Sequence, residues 1–411
     1  MSTAFLFLIT ISLLHSPCYV HGANNMPAPA LSPLSPSETP TDCEKILDAT
    51  TKLSNNITYD PLNFTKTWVG LDYCAFKGYY CDMIPGEDGV GLAGVDFNNA
   101  NFGGTLIFDS YIQNITLVSN IRVGSNNFSG EISSRISQLP NLFELDLSDN
   151  NFRGEFPSAL LDCRNLTYLD LRFNYYSGSI PDELFDMGIE VLILNNNFFS
   201  GSISDNLGNT SAVYLNLARN NITGAIPESI GQAPNLEEVL FLENQLEGCL
   251  PYEVGFLSNL TAFDVGSNRM TGPIPQSFGC LANMIQLVLA NNEFYGEVPE
   301  TLCMLRSVTM LDLSGNFFTK VGSICRALIK AKKMNVTGNC ISDLPGQRLQ
   351  SDCANFAGNR KSCPYESTFS IVPCNISSPP EGVMSYIPPM EIAGGLPKRT
   401  YAALQRDQSI Y

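Results

Sequence analysis

Leu145-Asp146-Leu147-Ser148-Asp149-Asn150-Asn151-Phe152-Arg153-Gly154-Glu155-Phe156-Pro157 is the stretch that decides how this chain folds. Leu145 and Leu147 alternate with polar residues, as in a short strand with one face turned inward. An asparagine, an aromatic and a glycine follow at fixed offsets. The frame returns 24 residues later as Leu169, Leu171, Asn174, Tyr176 and Gly178. Carried in both directions it gives Asn126, Asn150, Asn174, Asn197, Asn220, Asn244, Asn268, Asn292 and Asn316, in steps of 23 or 24 residues. Ala100 holds that place in a first, degenerate copy.

A period this regular is that of a leucine-rich repeat, in which each unit is one coil of a solenoid. Many units continue into an apolar residue and proline: Phe156-Pro157, Ile180-Pro181, Ile226-Pro227, Leu250-Pro251, Ile274-Pro275 and Val298-Pro299. That extension marks the plant-type repeat and adds backbone pairing on the flank. The expected fold is an α/β repeat solenoid: a right-handed superhelix with a parallel β-sheet on its concave wall and disulfide-stapled caps at both ends. The asparagine should satisfy backbone groups of its turn and of the neighbouring coil. The apolar residue two places on, from Phe128 and Phe152 to Phe294 and Phe318, should form a second spine of the core. A solenoid offers a long surface and no closed core, so binding is the expected activity.

Around the array, residues 1–22 resemble a secretory signal, with an apolar Ala4 to Leu14 and small residues before position 23. Residues 23–41 form a Pro/Ser-rich linker, 42–88 an N-terminal cap, 89–320 ten repeats, 321–374 a Cys-rich C-terminal cap and 375–411 a tail. No later run is long and apolar enough for a membrane span. Ten N-x-S/T sequons support the secretory route: Asn56, Asn63, Asn114, Asn127, Asn165, Asn209, Asn221, Asn259, Asn335 and Asn375.

The formal net charge of −17 argues against a nucleic-acid partner and favours a basic one. His15 and His21 both precede the expected cleavage point, so the mature chain lacks the commonest general base and metal ligand. Most of its twelve cysteines should be oxidised outside the cell. No metal or cofactor is expected, and the carboxylates of a wet sheet would have ordinary acidity. An enzyme is therefore not expected.

The outward strand positions of the middle units are the candidate contact surface. Arg122, Glu144, Asp146, Tyr168, Asp170, Arg172, Tyr214, Glu238, Leu240 and Glu243 combine rings with carboxylates, a mixture suited to a basic peptide. Val191, Ile193, Leu240 and Leu242 add adjacent exposed apolar positions. The alternative is that Asp146, Asp170, Asp264 and Asp312 only solubilise the strands.

Six residues separate Cys74 and Cys81, so a local disulfide is expected there. Cys43 has no obvious local partner; an intermolecular bridge, hence a covalent homodimer, stands beside a distant partner or a buried thiol. Cys163 replaces a spine leucine and should be a buried free thiol. Cys280 and Cys303, on neighbouring coils, are a candidate pair.

Three segments go beyond the generic repeat. The cap runs Asn63-Phe64-Thr65-Lys66-Thr67-Trp68-Val69-Gly70-Leu71-Asp72-Tyr73-Cys74-Ala75-Phe76-Lys77-Gly78-Tyr79-Tyr80-Cys81. A middle unit reads Leu169-Asp170-Leu171-Arg172-Phe173-Asn174, and the far cap has Asn339-Cys340, Pro345, Gln347-Arg348 and Cys353. Over residues 42 to 363 the chain resembles the repeat domain of plant leucine-rich repeat extensins. The Ser-Pro-rich extensin blocks of that family are reduced to Ser378-Pro379-Pro380 and Pro388-Pro389, as in an extensin-less member. The family often carries a Gly-Cys-Ile/Leu-Pro motif in two successive units. Here Cys249 keeps the second, while the first is Gly224-Ala225-Ile226-Pro227, so Cys249 should lack its usual partner. The resemblance implies an apoplastic, receptor-like protein of the cell wall without a signalling domain. It implies capture of small basic Cys-rich signalling peptides of the rapid alkalinisation factor class, and a part in wall assembly or expansion. Two other roles stay open: inhibition of pectin-degrading enzymes, as in polygalacturonase-inhibiting proteins, and structural contact with other wall proteins or pectin.

Overall fold

The inward leucines dictate a stack of coils, and the computed structural model has one. It describes residues 42–84, 90–105, 111–364 and 366–374. The expected signal, linker and tail lie outside the described residues. Strands Asn120–Arg122, Glu144–Asp146, Tyr168–Asp170, Val191–Ile193, Tyr214–Asn216, Glu238–Leu240, Ala262–Asp264, Gln286–Val288 and Met310–Asp312 pair in parallel within a 12-stranded sheet. Only the first pair, Tyr79–Met83 with Val90–Asp96, is antiparallel. Register never slips along the middle of this wall: Leu145 faces Leu169, which faces Leu192, then Leu215, Val239 and Phe263. A slip of one residue would expose that entire buried row.

The segments from the residue after each ladder asparagine through the glycine form a second, 11-stranded sheet on the flank, from Ile57–Tyr59 to Phe317–Lys320. Five-residue 3₁₀ turns such as Ser158–Asp162 and Asp182–Asp186 close most coils on the far side.

Between the sheets the asparagine ladder does what its period implies. Asn197 Oδ1 accepts from the Tyr176 backbone N–H at 3.0 Å in the preceding coil. Its Nδ2 donates to Leu171 O at 2.9 Å and to Leu194 O at 3.2 Å. The same bonds recur from Asn126 onward, and Asn339 supplies a further rung by accepting from Phe318 N at 2.9 Å. The residue before each asparagine takes a positive φ, including Phe173 at 52° and Arg219 at 53°. Phe128, Phe152, Tyr176, Phe199 and Phe294 are fully buried above the ladder.

Helix Asp42–Asn56 covers the first coil with Ile46, Ala49 and Leu53. Trp68 meets Tyr79, Phe97 and Phe102 edge-on or tilted, and Cys74 is bonded to Cys81 as expected. At the far end Arg348 donates to the otherwise open carbonyls of Asn316 and Gly315, each at 2.7 Å, while lying over the Phe317 ring.

The cysteines correct two expectations. Cys280 pairs with Cys374 and Cys303 with Cys325, so the two are not bridged to each other. Cys249 does have a partner, Cys363, 114 residues away. Sequence spacing missed both long links because the segment after Cys353 returns along the flank sheet. Gly272, at φ +96°, lies where that disulfide crosses, and a Cβ there would collide with the Cys363 sulfur. Cys43 is disulfide-bonded, which sets aside the buried-thiol alternative. Cys340–Cys353 staples the far cap, and Cys163 is a buried free thiol, as expected.

Candidate binding face

Five of the inner strands end on an aspartate or asparagine that turns its oxygen back on the chain. Asp146 Oδ1 accepts from Ser148 N at 3.0 Å, Asp264 from Gly266 N at 2.8 Å and Asp312 from Ser314 N at 2.9 Å. Asp170 and Asn216 do the same with Arg172 N and Ala218 N. This Asx turn explains the residue type at that position without any ligand. It uses one carboxylate oxygen and leaves the charge to be settled by neighbours.

The neighbours divide the wall in two. In the first half the charge is neutralised internally. Arg122 binds Glu144 through Nε–Oε1 at 2.6 Å and Nη2–Oε2 at 2.7 Å, and lies 3.6 Å from Asp96. Asn120 donates to the same Glu144 carboxylate at 3.0 Å. Arg172 Nε lies 3.2 Å from Asp170. Asp146 accepts further bonds from Ser148 Oγ and Asn98 Nδ2.

In the second half, among the described residues, no cation pairs with Glu238, Asp264 or Asp312. Burial, with Glu237 second, holds the Glu238 carboxyl above the usual range. Burial raises Asp264 to about 6 against the bond from Gly266, with Asp312 and Glu243 adding repulsion. Asp264 and Asp312 stand two strands apart, joined in register through Val288. Ionised, this row is an unbalanced charge of the kind a cationic partner would relieve.

The expected contact residues therefore fare differently. Glu144, Asp146, Tyr168, Asp170 and Leu240 are only 6, 8, 3, 0 and 5% exposed, so they are packed into the wall instead of standing free of it. Strands about 4.8 Å apart bring each outward side chain against those of the next coils. Val191 and Ile193 are buried for the same reason, which removes the expected exposed apolar patch at those positions. Burial also raises the Tyr168 phenol, with Asp170 next. Arg122, Arg172, Tyr214 and Glu238 remain partly exposed. Glu243 is not on the strand face: it takes φ 53° in the turn and pairs with Arg219 at 3.2 Å. Asp264 and Asp312, for which solubilising the strands is the alternative role, have a stronger electrostatic claim. The signal was available as the lack of Lys or Arg at outward strand positions after Arg172.

A second surface had no place in the sequence reading. Phe173, Tyr175 and Phe198 are 39, 53 and 51% exposed on the flank. The Tyr175 and Phe198 rings stack with centroids 6.1 Å apart and planes 19° apart. They border shallow grooves of about 520 and 590 Å³ with Asn127 and Asn151 between them.

Among the described residues no helix is long and apolar enough to cross a membrane, and no group of three or more His, Cys, Asp or Glu is placed to hold a metal.

Comparisons with known proteins agree with this architecture. A family model described as Leucine Rich Repeat matches residues 141–163, 165–187 and 211–233. Leucine-rich repeat extensin-like protein 1 of Arabidopsis thaliana is 37% identical over 90 residues, which are 22% of this chain and 12% of that protein. The chain thus aligns with about an eighth of the relative's length. The Arabidopsis receptor kinase HAESA ectodomain, solved with an IDA peptide hormone, superposes with a TM-score of 0.60 at 27% identity, over 68% of this chain and 46% of that one. The plant peptide hormone receptor RGFR1, solved in complex with RGF2, gives 0.51 at 28% identity over 56% and 41%.

Proposed function

We propose, from the premise that this chain is a plant-type leucine-rich-repeat protein with extensin-like relatives, that it is a secreted wall protein capturing basic Cys-rich signalling peptides on its concave face. The observation that carries this reading is the set Glu238, Asp264 and Asp312: Asp264 and Asp312 stand in one register row two strands apart, Glu238 stands on the strand before them, and none pairs with a cation among the described residues. A Lys- or Arg-rich ligand laid along the row would supply the missing charge, and Tyr214 on the adjoining strand would add ring area. The peptide-hormone ectodomains of similar fold support a peptide as the ligand class. The disulfide-rich caps support an oxidising, extracellular setting. The role is binding and not catalysis, because a row of like charges on an open wall offers no nucleophile–base pair.

Titration of the secreted protein with a synthetic basic, disulfide-rich peptide tests this. Saturable binding that weakens steeply with salt is expected. The triple variant Glu238→Gln, Asp264→Asn, Asp312→Asn should weaken it at least about tenfold. Equal affinity in the triple variant, or inhibition of a pectinase with no peptide bound, would reject the reading.

A further inference from the structure

The residue after each ladder asparagine forms a row down the flank: Asn127, Asn151, Tyr175, Phe198, Asn221, Gln245, Arg269, Glu293 and Phe317. At three steps of the row the side chains of successive coils touch. Asn151 Nδ2 donates to Asn127 Oδ1, Tyr175 stacks on Phe198, and Arg269 Nη2 donates to Gln245 Oε1 at 3.4 Å. Asn221 follows Phe198 in this row on the next strand, where the register sets it opposite Ser200, two residues along from Phe198. Asn127 precedes Tyr175 by two strands, with the register staggered by two residues at each step.

Two rings more than half exposed are a feature that a folded surface needs a reason to keep. What brackets them supplies one. Asn127-Phe128-Ser129 and Asn221-Ile222-Thr223 are both N-x-S/T sequons, one on each side of the aromatic pair. Both asparagines are exposed. The bond from Asn151 engages the Asn127 oxygen and leaves Nδ2, the sugar-bearing atom, unengaged. Among the described residues the Asn221 side chain makes no hydrogen bond. Three other sequons differ: Nδ2 of Asn165, Asn209 and Asn259 donates to Pro140 O, Asp186 Oδ1 and Pro234 O.

We propose that the Tyr175–Phe198 pair is the seat of the chain's own N-linked glycans. The innermost N-acetylglucosamine on Asn221 lies on the outer face of Phe198, and that on Asn127 runs over Asn151 to the opposite face of Tyr175. The rings stack along the solenoid axis, so each keeps one face open toward a sequon. The C–H face of a pyranose is apolar and covers such a ring, while its hydroxyls reach the Asn127 and Asn151 amides. Attachment forms the Nδ2–C1 bond from a lipid-linked pyrophosphate oligosaccharide. The C1–O bond breaks, the lipid pyrophosphate leaves with the electron pair, and the amide proton passes to solvent. The inference rests on the secretion assumed above but not on the peptide ligand.

The test uses the full chain secreted from plant cells. Peptide mass spectrometry gives occupancy at Asn127, Asn221 and Asn259, and enzymatic deglycosylation of the native protein gives the release rate at each. Release at Asn221 should be about fivefold slower than at Asn259, which has no exposed ring beside it in its row. The difference should vanish in Phe198→Ala, whose circular dichroism and melting temperature should match the parent because the ring is exposed. An unoccupied Asn221, or equal protection in Phe198→Ala, overturns the proposal while leaving peptide capture standing. So does Tyr175-dependent binding of free cellohexaose by the Asn221→Gln protein, which would assign the stripe to an external saccharide. Loss of peptide capture with protection intact would instead bear only on the concave face.

Discussion

Arg122 reaches across one coil boundary and holds Glu144 with two parallel hydrogen bonds of 2.6 and 2.7 Å. The carboxylate is buried, its side chain 8% exposed, while the guanidinium is 37% exposed. Removing the cation should leave a buried charge supported by Asn120 alone. Arg122→Met is expected to cost about 1–3 kcal/mol, below the full buried-pair penalty because solvent screens the arginine. Urea unfolding measures this; peptide affinity should change less than about twofold, since the pair serves the wall itself.

Asp264 makes stability depend on pH with a definite sign. Its folded carboxyl titrates at about 6, above the unfolded value near 3.8. Between these values the native state holds the extra proton, so stability falls as pH rises through the window and levels off above it. Asp264→Asn keeps the acceptor for Gly266 and removes the ionisation cost. It should stabilise the protein at pH 7 by about 2–3 kcal/mol and flatten this part of the profile. Urea midpoints at pH 4, 5, 6 and 7 check it; parallel curves for parent and variant would count against the assignment.

The ladder predicts a larger loss from a smaller change. Asn197→Ala strips the acceptor from Tyr176 N and the donor from Leu171 O and Leu194 O, all within the buried stack. About 2–4 kcal/mol should be lost, because these backbone groups have no water to turn to. Amide hydrogen exchange should localise the loosening to the two coils around residue 197.

The Cys249–Cys363 link closes a loop of sequence separation 114. Replacing both cysteines with alanine should cost about 2–4 kcal/mol by the chain-entropy argument. The neighbouring Cys280–Cys374 tether keeps the loss toward the lower end. Thermal unfolding reads the cost, and mapping of non-reduced peptides should still recover Cys280 with Cys374.

The repeat and its spines were legible because one coil can bury its leucines only against an identical neighbour. The frame of Leu145, Leu147, Asn150 and Phe152 therefore fixes strand, ladder and spine together. Cys74 with Cys81 was legible because the bond is local. The binding face was legible only in part. Alternation identified which side chains leave the strand outward, yet Glu144 and Asp170 turned out to be matched by Arg122 and Arg172. Whether a carboxylate is balanced depends on which guanidinium the register brings beside it.

Periodicity alone determined that this chain is a solenoid with a parallel wall and a plant-type flank, since hydrophobic burial at a repeat of 23 or 24 residues admits no other stacking. Tertiary structure decided the rest. It brought Cys363 back to Cys249, left Asp264 and Asp312 without a cation, and set Tyr175 on Phe198 between two sequon asparagines. These relations join residues one or more coils apart, or across the return of the C-terminal segment. Their energies depend on distance and on exclusion of water, which the order of residues does not contain.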